Sequence, residues 1–212
     1  MIERLLKIFT KAVLRRLTII DPANIPKQGG CIIVANHQGF LDAPALGAAV
    51  VANTGQRPLF PTTPWIWQWF ARLIGRSNMP KLGILAINET APGAVLNAAE
   101  QHLQAGSIIA IFPEGRRNTS NQLIKGKTGT VRLALATGAP IVPAGITACT
   151  GGVWRAVFFF LTHRPMRVVF GPPIDFTAWH GQLITAPLLD NLTEQLMKAI
   201  AKLSGKSYAH PV

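Results

Sequence analysis

The sequence predicts a single α/β domain: a mixed, largely buried sheet flanked by helices, led by an N-terminal amphipathic helix. Three observations predict it. Short apolar runs bounded by Gly and Pro alternate with longer segments of helical period along the 212 residues, the pattern of strands covered on both faces by crossover helices. The chain is 49% hydrophobic and only 14% charged, against about a quarter charged in an average soluble domain. It therefore buries enough apolar surface to offset the entropy of ordering, which excludes a disordered chain. No internal repeat, low-complexity tract or linker divides it.

The elements follow in order. Residues 1–20 place Leu5, Leu6, Phe9, Val13 and Leu17 at helical spacing between Lys and Arg, the pattern of a basic amphipathic helix. Such a helix either lies on a membrane or packs on the domain, and long basic side chains allow both. The expected division is thus a membrane-associating helix over 1–20 and the catalytic-type domain over 21–212. After the breaker DPANIPKQGG, CIIVAN at 31–36 reads as a buried strand. Residues 41–53 read as a helix with Pro44 in its first turn. Residues 64–75, PWIWQWFARLIG, form a helix apolar on nearly every face, suited to a core or to an interface where indoles gather. Then come a strand over 84–88, a helix over 91–105, a strand over 107–112, a helix over 127–137 and a strand over 140–146. A last strand at 166–171 precedes a closing helix over 186–203.

Lys and Arg number 21 against 9 Asp and Glu, a formal net charge of +12. An excess this large implies an anionic partner. Low overall charge and a positive mean hydropathy of +0.28 favour a membrane surface over nucleic acid, whose binders carry wet, highly charged faces. Cys31 and Cys149 make no disulfide framework and no metal spacing, and they read as small buried residues. Lys7, Lys11, Arg15 and Arg16 interrupt any signal-peptide core. No run reaches the roughly 18 apolar residues of a spanning helix. The expected location is the cytoplasmic face of a membrane, peripheral or monotopic.

Two motifs carry chemistry. NHQGFLD at 36–42 sets His37 five residues before Asp42 at the end of a strand, where ligand and catalytic groups gather in α/β sheets. Imidazole is suited to take a proton near neutral pH, and a carboxylate on one ring N–H leaves the other nitrogen free as a base. Equally, Asp42 can be read as a helix N-cap and His37 as an ordinary loop residue. No cluster completes a metal coordination set. IFPEGRRN at 111–118 places Glu114, Gly115, Arg116 and Arg117 at one turn. Guanidinium matches phosphate bidentately, and glycine lets a backbone N–H approach an anion. The bland reading is a solvated charged turn. Lys125 and Lys127 follow in KGKTGT before a helix, which is not a Walker A loop but suits an anion at a helix N-terminus.

NHQGFLD followed by FPEGRRN, then KTG at 127–129 and IVPAGI at 141–146, resembles the glycerolipid acyltransferase family, typified by 1-acyl-glycerol-3-phosphate acyltransferase. The resemblance covers roughly residues 25–175. It implies the glycerol-3-phosphate acyltransferase-like fold, with His37 as general base and Asp42 as its orienting partner. Glu114, Gly115, Arg116, Arg117 and Lys127 would bind substrate, Arg117 inheriting the phosphate contact and Arg116 standing at the family motif's threonine. The implied reaction moves a fatty acyl group from acyl-CoA or acyl-carrier protein to a lysolipid hydroxyl, without cofactor or metal. Glu89 departs from the family pattern, standing where an arginine is usual. An acidic residue there repels a phosphate monoester, which gives a lyso-ornithine-type or other lysolipid as the alternative acceptor. A non-catalytic membrane scaffold is the rival from another class, and intact His37, Asp42, Glu114 and Arg117 argue against it.

Overall fold

The computed structural model describes residues 2–86, 92–179 and 183–209. Its core is a five-stranded mixed sheet built from β1 (Leu17–Ile20), β2 (Cys31–Ala35), β5 (Ile108–Ile111), β6 (Ile141–Thr147) and β7 (Met166–Phe170), in the order β1-β7-β6-β2-β5. β2 pairs parallel with β5 on one side and β6 on the other, β1 pairs parallel with β7, and β6 with β7 is the antiparallel pair. A parallel ribbon of β3 (Phe60–Thr62) and β4 (Ile84–Ala86) lies beside β5, stitched to it by Leu59, whose N–H donates to Ile108 and whose carbonyl accepts from Ala110. Residues 87–91, including Glu89 and the end of the strand expected over 84–88, lie outside the described residues.

The period-2 pattern of the strands sorts their side chains into two cores. Along β2, Cys31, Ile33 and Ala35 point to one face and Ile32 and Val34 to the other, all fully buried. The first face is covered by α2 (Asp42–Thr54), through Ala45, Leu46, Ala49 and Val50, with α1 (Ile2–Leu14) and α6 (Val153–Leu161) adding Val13 and Ala156. The second face carries α4 (Pro92–Gln104), α5 (Gly129–Thr137) and the long α7 (Ala186–Ser204), which contributes Leu189, Leu192, Leu196 and Ile200. Burying each such aliphatic side chain contributes about 1.5–3 kcal/mol. Cys31 and Cys149 are buried free thiols, and burial pushes Cys31 up to about 12.

Most expected elements are present with shifted ends. The N-terminal helix is the correction. It stops at Leu14, and Leu17–Ile20 is a strand paired to Met166–Val169. The β-branched run Thr18-Ile19-Ile20 favours extended backbone, and β7 supplies a ladder that an isolated helix end does not. A division at residue 20 therefore cuts through the sheet. α3 (Pro64–Ile74) lies at the surface, with Ala71 buried and Trp65, Trp69 and Leu73 exposed. Two elements went unread, β3 and α6. No described helix is long and apolar enough to cross a membrane.

Candidate active site

Three loops meet at the C-terminal ends of the adjacent parallel strands β5, β2 and β6, the crevice where open α/β sheets place ligands. The loop after β2 carries His37. Its frame is set by Asn36, a buried amide that continues the ladder where the backbone leaves it: Nδ2 donates to the Ile146 carbonyl at 3.0 Å and Oδ1 accepts the Ile146 N–H at 2.7 Å. Gly39 then runs against the β6 loop. A Cβ there would lie 1.8 Å from the Cys149 carbonyl oxygen, so only glycine permits the approach, which is closed by Phe40 N–H to Gly151 and Gly151 N–H to Gln38.

Asp42 is wholly buried and opens α2, the N-cap being Leu41. Its carboxylate reaches back over the loop instead of capping the helix. Oδ2 accepts from the Gln38 N–H at 2.5 Å, the Gly39 N–H at 2.7 Å and the His37 ring at Nδ1, 2.8 Å away. All three donors converge on this one oxygen. With a carboxylate as its partner, Nδ1 carries the proton and Nε2 is left as the basic nitrogen. The imidazole is 22% exposed and stacks on Phe112, centroids 4.3 Å apart, so its plane is held from two sides.

Glu114 sits in the turn after β5, 3% exposed. Its Oε1 accepts the His37 backbone N–H at 3.0 Å; Oε2 accepts from Asn118 Nδ2 at 2.8 Å and the Ile124 N–H at 3.3 Å. The Asn118 N–H returns to the His37 carbonyl at 2.7 Å. Both ends of the His37 residue are thus pinned to the second motif. Gly115, at φ 69°, adopts the left-handed turn that glycine makes without a Cβ clash. The Lys127 side chain lies against it, so a Cβ would meet Lys127 Cε at 2.6 Å, and the Lys127 N–H donates to the Pro113 carbonyl at 2.8 Å. Arg116 and Arg117 are exposed on the same turn. Among the described residues neither they nor Lys127 has an ion-pair partner.

The structure therefore joins His37, Asp42 and Glu114 directly, and Gly115 to Lys127. Arg116 and Arg117 form a cationic rim not bonded to that cluster. Sequence reading missed Asn36, Phe112 and Asn118. The available signals were a polar residue ending an apolar strand at 36, an aromatic beside the acid box at 112, and an amide four residues after Glu114. Among the described residues no group of three His, Cys, Asp or Glu is placed to hold a metal.

A carboxylate–imidazole pair braced by an acidic turn with a cationic rim stands at the strand ends of a mixed α/β sheet, an arrangement suited to general-base chemistry. The chain belongs to the acyltransferase family, whose model matches residues 16–147. It is 24% identical over 193 residues to the 1-acyl-sn-glycerol-3-phosphate acyltransferase of Bacillus subtilis, covering 89% of this chain and 88% of that one. A Mycoplasma pneumoniae protein is 28% identical over 160 residues, 71% of this chain, and this chain spans only 56% of that relative's length. The fold is similar to the crystal structure of the 1-acyl-sn-glycerophosphate acyltransferase of Thermotoga maritima, with a TM-score of 0.63, 21% identity, and coverage of 96% of this chain and 82% of that one.

Proposed function

We propose that this acyltransferase moves a fatty acyl group from the thioester of acyl-CoA or acyl-carrier protein to the hydroxyl of a lysophospholipid, with 1-acyl-glycerol-3-phosphate as the acceptor. The observation that carries the reading is the His37–Asp42 bond, which occupies Nδ1 and leaves Nε2 of a partly exposed imidazole available, on a loop pinned through Glu114 to the turn that carries Arg116 and Arg117. His37 Nε2 takes the proton of the acceptor hydroxyl while its oxygen attacks the thioester carbonyl carbon. The tetrahedral intermediate collapses with cleavage of the C–S bond, and the leaving thiolate takes the proton back from the imidazolium. Asp42 stabilises that imidazolium and holds its tautomer. The acceptor oxygen is itself the nucleophile, so no acyl-enzyme forms. General-base assistance supplies about 10²–10⁴-fold, and positioning of two amphiphiles supplies much of the rest.

Arg117 is assigned the acceptor phosphate, with Lys127 behind the turn. The partner surface is an anionic membrane on its cytoplasmic face. Leu5, Ile8 and Phe9 on α1, Trp65, Trp69 and Leu73 on α3, and Trp154 (86% exposed), Phe158 and Leu161 on α6 present apolar side chains on a chain of net charge +12, the combination that favours interfacial binding.

The test is an acceptor panel. Purified protein is given acyl-CoA or acyl-carrier protein with lysophosphatidate, lysophosphatidylcholine and a lyso-ornithine lipid, and products are identified by mass spectrometry. Lysophosphatidate should be acylated, and the His37→Ala variant should not do it. Arg117→Ala should raise the KM for lysophosphatidate more than it lowers kcat, with Arg116→Ala milder. Exclusive use of the phosphate-free acceptor would overturn the acceptor assignment, and full turnover by His37→Ala the mechanism.

A further inference from the structure

The loop that braces the site is itself held by the end of the chain. α7 stops at Ser204, and Gly205 turns the backbone so that the Gly205 and Lys206 N–H groups both return to the Ala201 carbonyl, a close suited to a left-handed C-cap. The following residues, Lys206–Ala209, then lie along residues 120–123. The Ser207 N–H donates to the Asn121 carbonyl at 3.0 Å and the Leu123 N–H to the Ser207 carbonyl at 2.9 Å, as a short parallel bridge. Lys206 Nζ donates to the Ser120 carbonyl at 2.5 Å. Tyr208 packs on the second core. The bridged segment otherwise has no regular structure, yet it contains or flanks both groups that hold Glu114 Oε2. These are Asn118, whose amide also donates to the Gln122 carbonyl at 2.7 Å, and the Ile124 N–H.

We propose that the C-terminal strap Lys206–Ala209 is a positioning element of the active site, holding the 118–124 loop so that Glu114 and Asn118 fix both ends of the His37 residue. The proposal rests on the reading of His37 as the base. Lys206 is the charged member of the strap. It is half-buried, burial lowers its pKa, and the Glu114 and Asp42 carboxylates pull it back up, so its ammonium lies within the field of both buried acids. The strap residues fall outside the segment that the family model matches, residues 16–147.

Two features separate positioning from simple stabilisation. The bonds that Lys206 Nζ and the Ser207 N–H make end on the carbonyls of Ser120 and Asn121, which are exposed, so water replaces them at little net cost, while the N–H of buried Leu123 keeps the Ser207 carbonyl. The Glu114 and His37 groups downstream are buried or half-buried, and a displacement of about 1 Å at a reacting group can cost about 10²-fold. Loosening the strap should thus move turnover far more than stability.

The experiment uses the full chain with the double change Lys206→Met and Ser207→Pro, which removes the ammonium and the bridging N–H. Lys206→Arg is the conservative rescue and Lys202→Met, on the exposed side of α7, the charge control. Turnover, thermal midpoint and amide exchange of peptides spanning 36–41 and 113–124 are read together. The double variant should lose about tenfold or more in kcat, with donor KM within about twofold and the midpoint within a few degrees. Exchange should quicken by at least about tenfold in both peptides. Lys206→Arg and Lys202→Met should behave as wild type. Unchanged kcat, unchanged exchange at 36–41, or failure of arginine to substitute overturns the proposal. If the double variant unfolds, Lys206→Met alone is read in the same way. If wild type transfers no acyl group to any lysolipid, the functional reading fails separately, and the exchange at 36–41 alone decides whether the strap holds His37.

Discussion

Asp42→Asn isolates the charge of the buried carboxylate from its shape. The asparagine side chain still offers an oxygen where Oδ2 accepts from His37, Gln38 and Gly39, with its amide in the place of the unpartnered Oδ1, so the imidazole stays oriented while the negative charge is lost. In the proposed reaction that charge acts on the imidazolium formed as the acceptor hydroxyl is deprotonated. Two unit charges about 4 Å apart at an effective dielectric near 20 attract by about 4 kcal/mol, and each 1.4 kcal/mol or so is tenfold in rate. The expected fall in kcat is therefore about 10³-fold. Stability responds less. Three charge-assisted bonds become neutral ones, at a loss of about 1 kcal/mol each, while removing a wholly buried charge returns much of its desolvation cost. Thiol release is followed at saturating donor and acceptor, beside a urea melt. A folded Asp42→Asn protein within about fivefold of wild-type kcat would refute the argument that the charge drives the base.

Three further outcomes follow from the geometry. Gly39→Ala forces its Cβ into the Cys149 carbonyl and should cost about 1–3 kcal/mol or more with a large loss of kcat; Gly129→Ala, which meets nothing within 4 Å, should be nearly neutral in a urea melt. Cys31 keeps its proton up to about 12 in the fold, against 9.0 when free, so the folded state binds more protons than the unfolded state across that window. Stability should fall as pH rises from 9 towards 12, and Cys31→Ala should fall less steeply in alkaline melts. Changing Arg4, Lys7, Lys11 and Arg15 to Gln should weaken co-sedimentation with anionic vesicles, each basic residue near the surface contributing about 1 kcal/mol at low salt; equal binding of wild type to neutral and anionic vesicles would mean that the charge serves another partner.

The sheet was legible because its strands are short apolar runs set off by breakers, and the site because His37, Asp42 and Glu114 stand at strand ends that the sequence marks. Other parts were not legible for physical reasons. Leu17 continues the helical spacing of α1, yet Thr18–Ile20 pairs with a strand some 150 residues away, and no local pattern reports a distant ladder. The pairing of Asp42 with His37 was legible, but only the loop path shows the same carboxylate oxygen also accepting the Gln38 and Gly39 N–H groups. Glu114 reads as a substrate ligand beside two arginines, but its two oxygens are occupied by backbone and amide donors from three places in the chain. α6 carries too few residues and too uniform an apolar run for periodicity to separate helix from strand.

The pairing of β1 with β7 has a consequence for how the molecule is made. Leu17 waits for Met166, so the edge of the sheet cannot close until roughly 150 further residues have been synthesised, about 8–30 s at 5–20 residues per second. Through that interval α1 trails from a strand with no neighbour, and Val13, which ends fully buried in the first core, has no finished core to enter. The parallel β2–β5 and β2–β6 ladders, which carry the loops of His37 and Glu114, can be complete once β6 is made, before β7 exists. The order of synthesis thus pairs the strands around His37 before β1 finds β7, and the strap Lys206–Ala209 reaches the 118–124 loop last of all.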